Sequence, residues 1–170
     1  MKALLGTFAG GGTLETIVLR PARDAPARCV EAAIAIAGRG LDGDRAAAHA
    51  PRRSGGSKRE VTLIQAEHLP LFAAWVGRRE IDPALLRRNL VVRGLNLLSA
   101  RSPLRDLSLV LCIGDDVRLE VTGPCDPCSK IEREFGAGAY NALRGHGGVT
   151  ARIVVGGWLR TGDRVHIEHA

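Results

Sequence analysis

Aromatic residues and cysteines are scarce in this sequence of 170 residues. Phenylalanine, tryptophan and tyrosine together make up 4% of the chain, which is poor in the stacking platforms of single-strand nucleic-acid-binding proteins. Four cysteines do not suggest a disulfide scaffold in a chain long enough to bury its own core. Uninterrupted apolar runs of about 18 residues are also lacking, so we expect no membrane span.

Charged residues are plentiful, and the 24 lysines and arginines outnumber the 18 aspartates and glutamates. The formal net charge is +6, which favours anionic partners without choosing among them. The arginines are scattered rather than clustered in one arm, so nucleic acid is a minor expectation. The N-terminal stretch MKALLGTFAGGG is too short and too glycine-rich for a secretory signal, and we expect a cytoplasmic protein.

Short strands account for most of the hydrophobic pattern. LETIVL at 14–19, VTLIQ at 61–65 and LVV at 90–92 read as strands. IGDDVRLE and TGDRVHIE share a Gly-Asp turn that leads into strict alternation, which is typical of half-buried antiparallel strands. The sequence therefore predicts one domain over residues 1–170, mainly β with short helices (α+β), folded as a closed or nearly closed β-barrel.

Other segments are less regular. VEAAIAIA at 30–37 fits a strand or a helix, and 66–76 has helical spacing. Asp82 followed by Pro83 predicts an N-capped short helix ending near Arg88. The polar segment 46–60 is predicted to be a mobile loop. Cys29 and Cys112 lie in apolar runs and are predicted to be small core residues.

The stretch GPCDPCSK at 123–130 places two cysteines three residues apart. Ser129 with Glu132 fits a capping box for a helix over 130–135, and Gly136 would end that helix. Cys128 would then lie beside the positive end of the helix, with Lys130 nearby. These charges favour a thiolate and make Cys128 a candidate reactive residue.

Two other interpretations of the cysteine pair stay open. A zinc site needs four ligands, and His146 offers a third without a well-spaced fourth. Thiol–disulfide exchange is typical of CxxC at a helix start. The thioredoxin-like fold requires a proline loop after that motif, however, and the last proline in this chain is Pro127.

Downstream, RGHGGVT at 144–150 surrounds His146 with glycines. Glycine backbone N–H groups can approach an anion directly, so the run is a candidate phosphate cradle that includes Arg144, Gly147 and Gly148. Arg45, after GLDGD, is a second candidate anion contact.

These segments together resemble the MOSC domain, the domain named for the C-terminal part of molybdenum-cofactor sulfurase. The resemblance rests on GRGLDGDRA, RRNLVVRG, VTGPCDPCSKIE and GHGGVTARIVVGGWLRTGD, which follow one another in this order between about residues 38 and 167. It implies a β-rich, barrel-like fold, in agreement with the strand pattern.

The resemblance also implies a site. Pro127-Cys128-Ser129-Lys130 matches the family's cysteine context, so Cys128 would ligate molybdenum or carry sulfur. Cys125 stands in a context like that of amidoxime-reducing relatives, and it is the second catalytic candidate. The implied cofactor is the molybdenum cofactor, an anionic pterin. The candidate cofactor-binding residues are Arg45, Arg88, Asn89, Thr122, Lys130, Arg144, His146, Gly147 and Gly148.

The implied activity is sulfur transfer or reduction of N-hydroxylated compounds. The sequence shows no flavin or iron–sulfur signature and no pyridoxal-dependent desulfurase domain, so a separate electron donor or sulfur donor protein would be needed. A non-catalytic cofactor carrier and a CxxC redox protein remain as alternatives.

Overall fold

The computed structural model describes residues 1–23, 25–48 and 57–170. Within those ranges the chain consists of short strands joined by turns, with a few short helices. The strands are β1 (Gly12–Leu19), β2 (Arg28–Val30), β3 (Ala32–Ile36), β4 (Gly40–Leu41), β5 (Val61–Gln65), β6 (Leu90–Arg93), β7 (Leu109–Ile113), β8 (Val117–Pro124), β9 (Val149–Val155), β10 (Gly157–Arg160) and β11 (Arg164–His169). The helices are α1 (Lys2–Leu5), α2 (His68–Trp75), α3 (Ser129–Phe135), α4 (Ala139–Leu143) and two 3₁₀ helices, Pro83–Leu86 and Leu97–Ala100.

Seven strands close into a barrel in the order β11–β7–β8–β9–β5–β6–β1, and β1 pairs back onto β11. Neighbours in the ring are antiparallel except β5 and β6, which are parallel. β2 pairs with β1 outside the ring, and β3, β4 and β10 form a separate small sheet. Closure pairs the edge groups that an open sheet would leave exposed. The predicted barrel is confirmed.

Apolar side chains at alternating positions of the strands fill the barrel interior. In β8, Val117, Leu119 and Val121 are buried in the main core, while Arg118 and Glu120 between them are only half-buried. The turns before β8 and β11 begin at glycines with φ of 59° and 92°, a backbone region that glycine enters without steric cost. The predicted Gly-Asp turns into alternating strands are thus confirmed.

A second apolar cluster lies outside the ring and holds the helices. Ile64 of β5 and Val91 of β6 alternate with core residues and pack with buried residues of α2, α3 and α4. Phe72 of α2 meets Phe135 of α3 edge to face, with ring centroids 5.1 Å apart. This packing fixes α3, and therefore the loop that precedes it, against the barrel wall. The described residues include no helix with the length and apolar character that a bilayer span requires.

Local predictions for the helices are partly confirmed. Asp82 caps the helix at Pro83 by accepting a hydrogen bond from the Ala84 N–H at 2.9 Å. The helix is 3₁₀, however, and it ends at Leu86 rather than near Arg88. The ambiguous segment 30–37 is extended, because β3 pairs with both β10 and β4.

The predicted capping box at α3 is wrong. Cys128, not Ser129, is the N-cap residue. The Glu132 carboxylate instead accepts hydrogen bonds from the N–H groups of Gly138 at 2.7 Å and Tyr140 at 2.8 Å. Because these donors lie at the start of α4, Glu132 joins α3 to α4 rather than closing its own first turn. Gly136 does follow the last residue of α3, as predicted.

The two cysteines that were predicted to be core residues differ in solvent exposure. Cys112 is fully buried, whereas Cys29 is exposed. Cys29 lies in β2, which pairs with β1 outside the ring, so its apolar neighbours in sequence do not bring it inside.

Most of the predicted mobile loop 46–60 lies outside the described residues, which resume at Ser57. The described end of the loop is anchored at Glu60, which is 4% exposed. Its carboxylate accepts hydrogen bonds from the N–H groups of Ser57 at 3.0 Å, Gly38 at 3.2 Å and Ile153 at 2.9 Å.

Candidate functional site

The loop between β8 and α3 places its two cysteines in different surroundings. β8 ends where Pro124 pairs with Val149 of β9, and the next N–H, that of Cys125, donates to the carbonyl of Gly148 at 2.8 Å. Cys125 is 2% exposed. Cys128, three residues later, is exposed to solvent. The loop therefore packs one thiol into the wall and presents the other.

Arg88 is a buried arginine that holds this loop. Its guanidinium donates to four backbone carbonyls: Gly147 at 2.6 Å, Leu86 at 3.0 Å, Cys125 at 3.0 Å and Asp126 at 3.4 Å. Burial lowers the pKa of Arg88, while the nearby Cys125 acts in the opposite direction. With its donors engaged by carbonyls, Arg88 is a positioning residue for the Cys125–Asp126 backbone.

A second buried network starts from Asp44, which is 2% exposed. Its carboxylate accepts from Arg20 Nε at 3.1 Å and from Asn89 Nδ2 at 3.0 Å. Asn89 Oδ1 in turn accepts from Thr62 Oγ1 at 3.0 Å and from Arg20 Nη2 at 3.2 Å. A buried carboxylate needs such partners to remain charged. The network fixes the Arg20 side chain, whose Nη1 donates to the Arg87 carbonyl at 3.2 Å.

Arg87 has a strained backbone. Among the described residues it alone has a positive φ without being glycine, at 60°. Such conformations cost about 1–3 kcal/mol and occur where surrounding structure enforces them. Burial lowers the pKa of Arg87, and repulsion from Arg20, Arg45 and Arg59 lowers it further, while Cys128 acts in the opposite direction. These cations are therefore close enough to repel one another.

Together these residues form a cavity of about 700 Å³, which we call the arginine pocket. It is lined by Cys128 and by five arginines: Arg20, Arg45, Arg59, Arg87 and Arg88. Two acidic residues also line it, Asp126 and Glu60. The Glu60 carboxylate, however, is occupied by backbone N–H groups. The volume lies in the range of small-molecule sites, and the lining combines a soft sulfur with concentrated positive charge.

The buried cysteine is linked to the same cations. Arg59 Nη2 donates to the Cys125 sulfur at 3.4 Å, and Arg88 holds the Cys125 carbonyl. Guanidinium groups bind phosphate and carboxylate oxygens with paired donors, and a thiolate binds soft metals and sulfur. The arrangement therefore suits an anionic ligand that carries a metal or a sulfur atom.

A protein-family model described as the MOSC domain matches residues 50–166, which is more than half of the chain. The chain belongs to the MOSC domain family. This confirms the resemblance inferred from the sequence motifs.

Solved structures show the same fold as this MOSC domain. The YuaD protein from Bacillus subtilis is 19% identical, with a TM-score of 0.75 over 94% of this chain and 96% of that one. YiiM from Geobacillus stearothermophilus is 15% identical, with a TM-score of 0.69 over 92% of this chain and 75% of that one. YiiM from Escherichia coli is 16% identical, with a TM-score of 0.65 over 92% of this chain and 69% of that one. A comparison with curated protein sequences gave no match.

The MOSC motif residues only partly converge on the arginine pocket. Cys128, Arg45, Arg88 and Asn89 line it. The last two act mainly through backbone contacts and the Asp44 network, so they shape the pocket more than they face a ligand. Cys125 is buried and does not line the pocket.

The remaining predicted residues lie elsewhere. Lys130 lines a cavity of about 300 Å³ that shares Arg87 with the arginine pocket. Thr122 lines a separate cavity of about 290 Å³, and its hydroxyl lies 2.9 Å from that of Thr150. His146 lines a cavity of about 400 Å³ that also contains His68, and Arg144 is exposed.

The glycine run packs closely instead of forming an open cradle. A Cβ on Gly147 would lie 2.3 Å from the Cys125 carbonyl oxygen, and one on Gly148 would lie 1.9 Å from that of Leu63. Gly148 also has φ of 86°. These glycines allow β9 to begin against the cysteine loop, and the Gly147 carbonyl is bound to Arg88. Cys125, Cys128 and His146 do not form a three-ligand metal cluster among the described residues.

Three arginines that line the pocket were not predicted as site residues from the sequence: Arg20, Arg59 and Arg87. Arg87 had a signal, because it precedes the Arg88-Asn89 pair directly. Arg20 follows β1 and Arg59 precedes β5, and neither carries a motif. Their roles depend on strand pairing that joins distant segments.

Proposed function

We propose that the arginine pocket binds the molybdenum cofactor, with Cys128 as the thiolate ligand of the metal. The observation that carries the proposal is the position of Cys128: its exposed side chain lines a cavity of about 700 Å³ together with five arginines. Membership in the MOSC domain family supports the choice of cofactor.

The donor set fits such a ligand. A phosphate-bearing pterin brings negative charge. Burial and then repulsion from Arg20 and Arg45 lower the pKa of Arg87, and a bound anion would counteract both effects. Arg45, Arg59 and Arg87 are the residues that we assign to the anion. Arg88 is assigned to the loop, because its donors already bind carbonyl groups.

The protein's own residues would act as follows. Cys128 offers a soft sulfur ligand from a loop whose backbone Arg88 fixes. The Asp44–Asn89 network orients Arg20 at the pocket wall. When bound, the cofactor supplies the redox chemistry by which related proteins reduce N-hydroxylated compounds. We propose that reaction here, with electrons from a separate donor protein.

Sulfur transfer is a second candidate, which the exposure of Cys128 favours. A persulfide on an exposed sulfur is accessible both to a donor protein and to an acceptor. In that case Cys128 receives a sulfur atom from the donor's persulfide and passes it on, and the donor is left as a thiol.

The test is the molybdenum and pterin content of protein purified anaerobically from a host that makes the cofactor. We expect both in the wild type, and loss of molybdenum in Cys128→Ser. Cys29→Ser is the matched control, since Cys29 is exposed but does not line the pocket. Cys125→Ser keeps the metal if Cys128 is the ligand.

Other outcomes separate the candidates. Absence of molybdenum and pterin from the wild type would contradict stable cofactor binding, and a persulfide mass on Cys128 would then favour sulfur transfer. Loss of the metal in Cys125→Ser, with retention in Cys128→Ser, would reverse the assignment of the two cysteines.

Anion binding has its own test. Arg45→Gln and Arg59→Gln should lower the pterin retained per chain, because each removes a cation from the pocket. Arg39→Gln, an exposed arginine outside the pocket, should not. Equal retention in all three variants would argue against the pocket as the pterin site.

A further inference from the structure

Two barrel strands carry a group of ligand-type side chains that the proposed function does not use. Cys112 of β7 and His166 of β11 are directly paired across the strands, and Glu168 lies two residues after His166 on the same face. One ligand atom from each residue lies within 4.8 Å of the others.

The group faces away from the barrel interior. Leu111 and Ile113, on either side of Cys112, belong to the main core, as do Val165 and Ile167 beside His166. Since side chains alternate along a strand, Cys112 points to the outer face together with His166 and Glu168. Cys112 is nevertheless fully buried, whereas the His166 and Glu168 side chains are 27% and 52% exposed.

The imidazole of His166 is only half satisfied. Its Nε2 lies 2.8 Å from Glu168 Oε1, while its Nδ1 is buried without a hydrogen-bond partner among the described residues. A buried polar atom with no partner is costly and calls for an explanation. A bond from the imidazole to a metal, with the ring rearranged, would provide one.

We propose that Cys112, His166 and Glu168 form a site for a divalent metal of the zinc type, outside the barrel and separate from the arginine pocket. Thiolate sulfur, imidazole nitrogen and carboxylate oxygen are the three ligand types that zinc takes in proteins, and three protein ligands leave a fourth position for water.

Charge balance favours the site. A cysteine thiolate and the Glu168 carboxylate together neutralise a divalent cation, so Arg118, which is paired with Cys112 from β8, meets no net positive charge. Binding displaces the Cys112 proton to solvent. Burial and a hydrogen bond that the thiol donates to Glu168 raise the pKa of that thiol to about 11.

The site would add a link at the closure of the barrel. β11 pairs with β7 on one side and with β1 on the other, and it completes the ring. A metal bound by Cys112 of β7 and by two residues of β11 would tie these strands together. Metal binding should therefore raise the melting temperature of the folded chain.

The test uses the full chain with Cys29, Cys125 and Cys128 replaced by serine, so that Cys112 is the single thiol. Cobalt(II) is titrated in as an optical probe and zinc(II) as its competitor. We expect one cobalt per chain, a thiolate-to-cobalt charge-transfer absorption, and displacement by zinc. Loss of a residue that only hydrogen-bonds to a metal ligand already costs about 10–100-fold in affinity. His166→Ala and Glu168→Gln, which each remove a proposed direct ligand, should therefore weaken binding at least about tenfold.

His169→Ala is the matched control, because His169 lies on the same strand outside the cluster. It should leave the cobalt affinity unchanged. Absence of the thiolate band, or a band that survives both His166→Ala and Glu168→Gln, would overturn the proposal.

If the triple-serine chain does not fold by circular dichroism, the same His166 and Glu168 variants are made in the wild type. Zinc-dependent melting temperature is then the readout. An upward shift that is lost in both variants supports the site, and a shift that they retain, or none at all, contradicts it.

Discussion

The carbonyl oxygen of Cys125 accepts a hydrogen bond at 3.0 Å from Nη2 of Arg88, a residue 37 positions earlier in the chain. This contact ties the end of the 3₁₀ helix to the cysteine loop. The same guanidinium also reaches Gly147, so three segments that are distant in sequence meet at one buried cation. The stability of the loop before α3 therefore depends on Arg88.

Arg88→Met should destabilise the fold by several kcal/mol, on the order of 3. Hydrogen bonds to a charged group contribute about 1.5–3 kcal/mol each, and their loss leaves buried carbonyls without partners, although it also removes a desolvated charge. Arg88→Lys should not restore the loss, because an ammonium cannot reproduce the planar fork. Urea unfolding measures the effect. Exposed Arg79→Met should change stability by about 0.5 kcal/mol or less, and an equal effect of the two Met variants would contradict the role.

Gly148→Ala should be far more damaging than Gly145→Ala. Both glycines have φ near the left-handed region, 86° and 84°, so each substitution carries about 1 kcal/mol of backbone strain. Only at Gly148 would the new Cβ meet backbone, 1.9 Å from the Leu63 carbonyl oxygen, whereas Gly145 is open. The clash should add about 1–3 kcal/mol or more. The measurement is the melting temperature of each variant, which should be lower for Gly148→Ala. Equal melting temperatures would contradict the close packing of Gly148 against Leu63.

Glu132→Gln should lower stability at neutral pH but not in acid. Hydrogen bonds from the N–H groups of Tyr140 and Gly138 lower the pKa of Glu132 below its ordinary value of 4.5. A depressed carboxyl pKa stabilises the fold above the unfolded-state value and loses that contribution as the pH falls through the folded-state value.

The measurement is the urea midpoint of the wild type and Glu132→Gln at neutral pH and again well below the ordinary carboxyl pKa. The gap between the proteins should narrow in acid. Exposed Glu134→Gln on the same helix is the control and should show no such gap. A gap at neutral pH that persists unchanged in acid would show that the charge of Glu132 is not responsible.

Thiol reactivity should divide the four cysteines of the folded protein into two pairs. Cys128 and Cys29 are exposed, so they should be alkylated by iodoacetamide, while buried Cys125 and Cys112 should be protected. Cys112 has the added protection of a pKa raised to about 11, since only the thiolate reacts. Peptide mass analysis before and after unfolding gives the rates. Labelling of Cys125 as fast as Cys128 in the folded state would contradict the structure of the loop.

Local chemistry was enough to predict many elements. The strand at 61–65 has the predicted bounds, and Asp82 caps the helix that it was expected to cap. The two Gly-Asp turns lead into the expected strands. In each case the signal is contained in fewer than about ten neighbouring residues, as side-chain alternation and capping require.

The sequence-based predictions were wrong where a contact in the fold took the place of a contact expected between residues close in sequence. Glu132 was expected to reach back to its own first turn, but the N–H groups of Gly138 and Tyr140 take its carboxylate. Cys29 was expected inside because of its apolar flanks, but β2 lies outside the ring. Neither result follows from a pattern within one segment.

The sequence by itself determined the class of fold, the positions of most strands and the cysteine motif, because alternation, turn glycines and motif spacing are local properties. Tertiary structure alone decided which residues share a site. Closure of the barrel brings Arg20, Arg59 and Arg87 to Cys128, buries Cys125, and pairs Cys112 with His166. These outcomes depend on which strands become neighbours and which face each side chain takes, and both are fixed only when the whole core is buried.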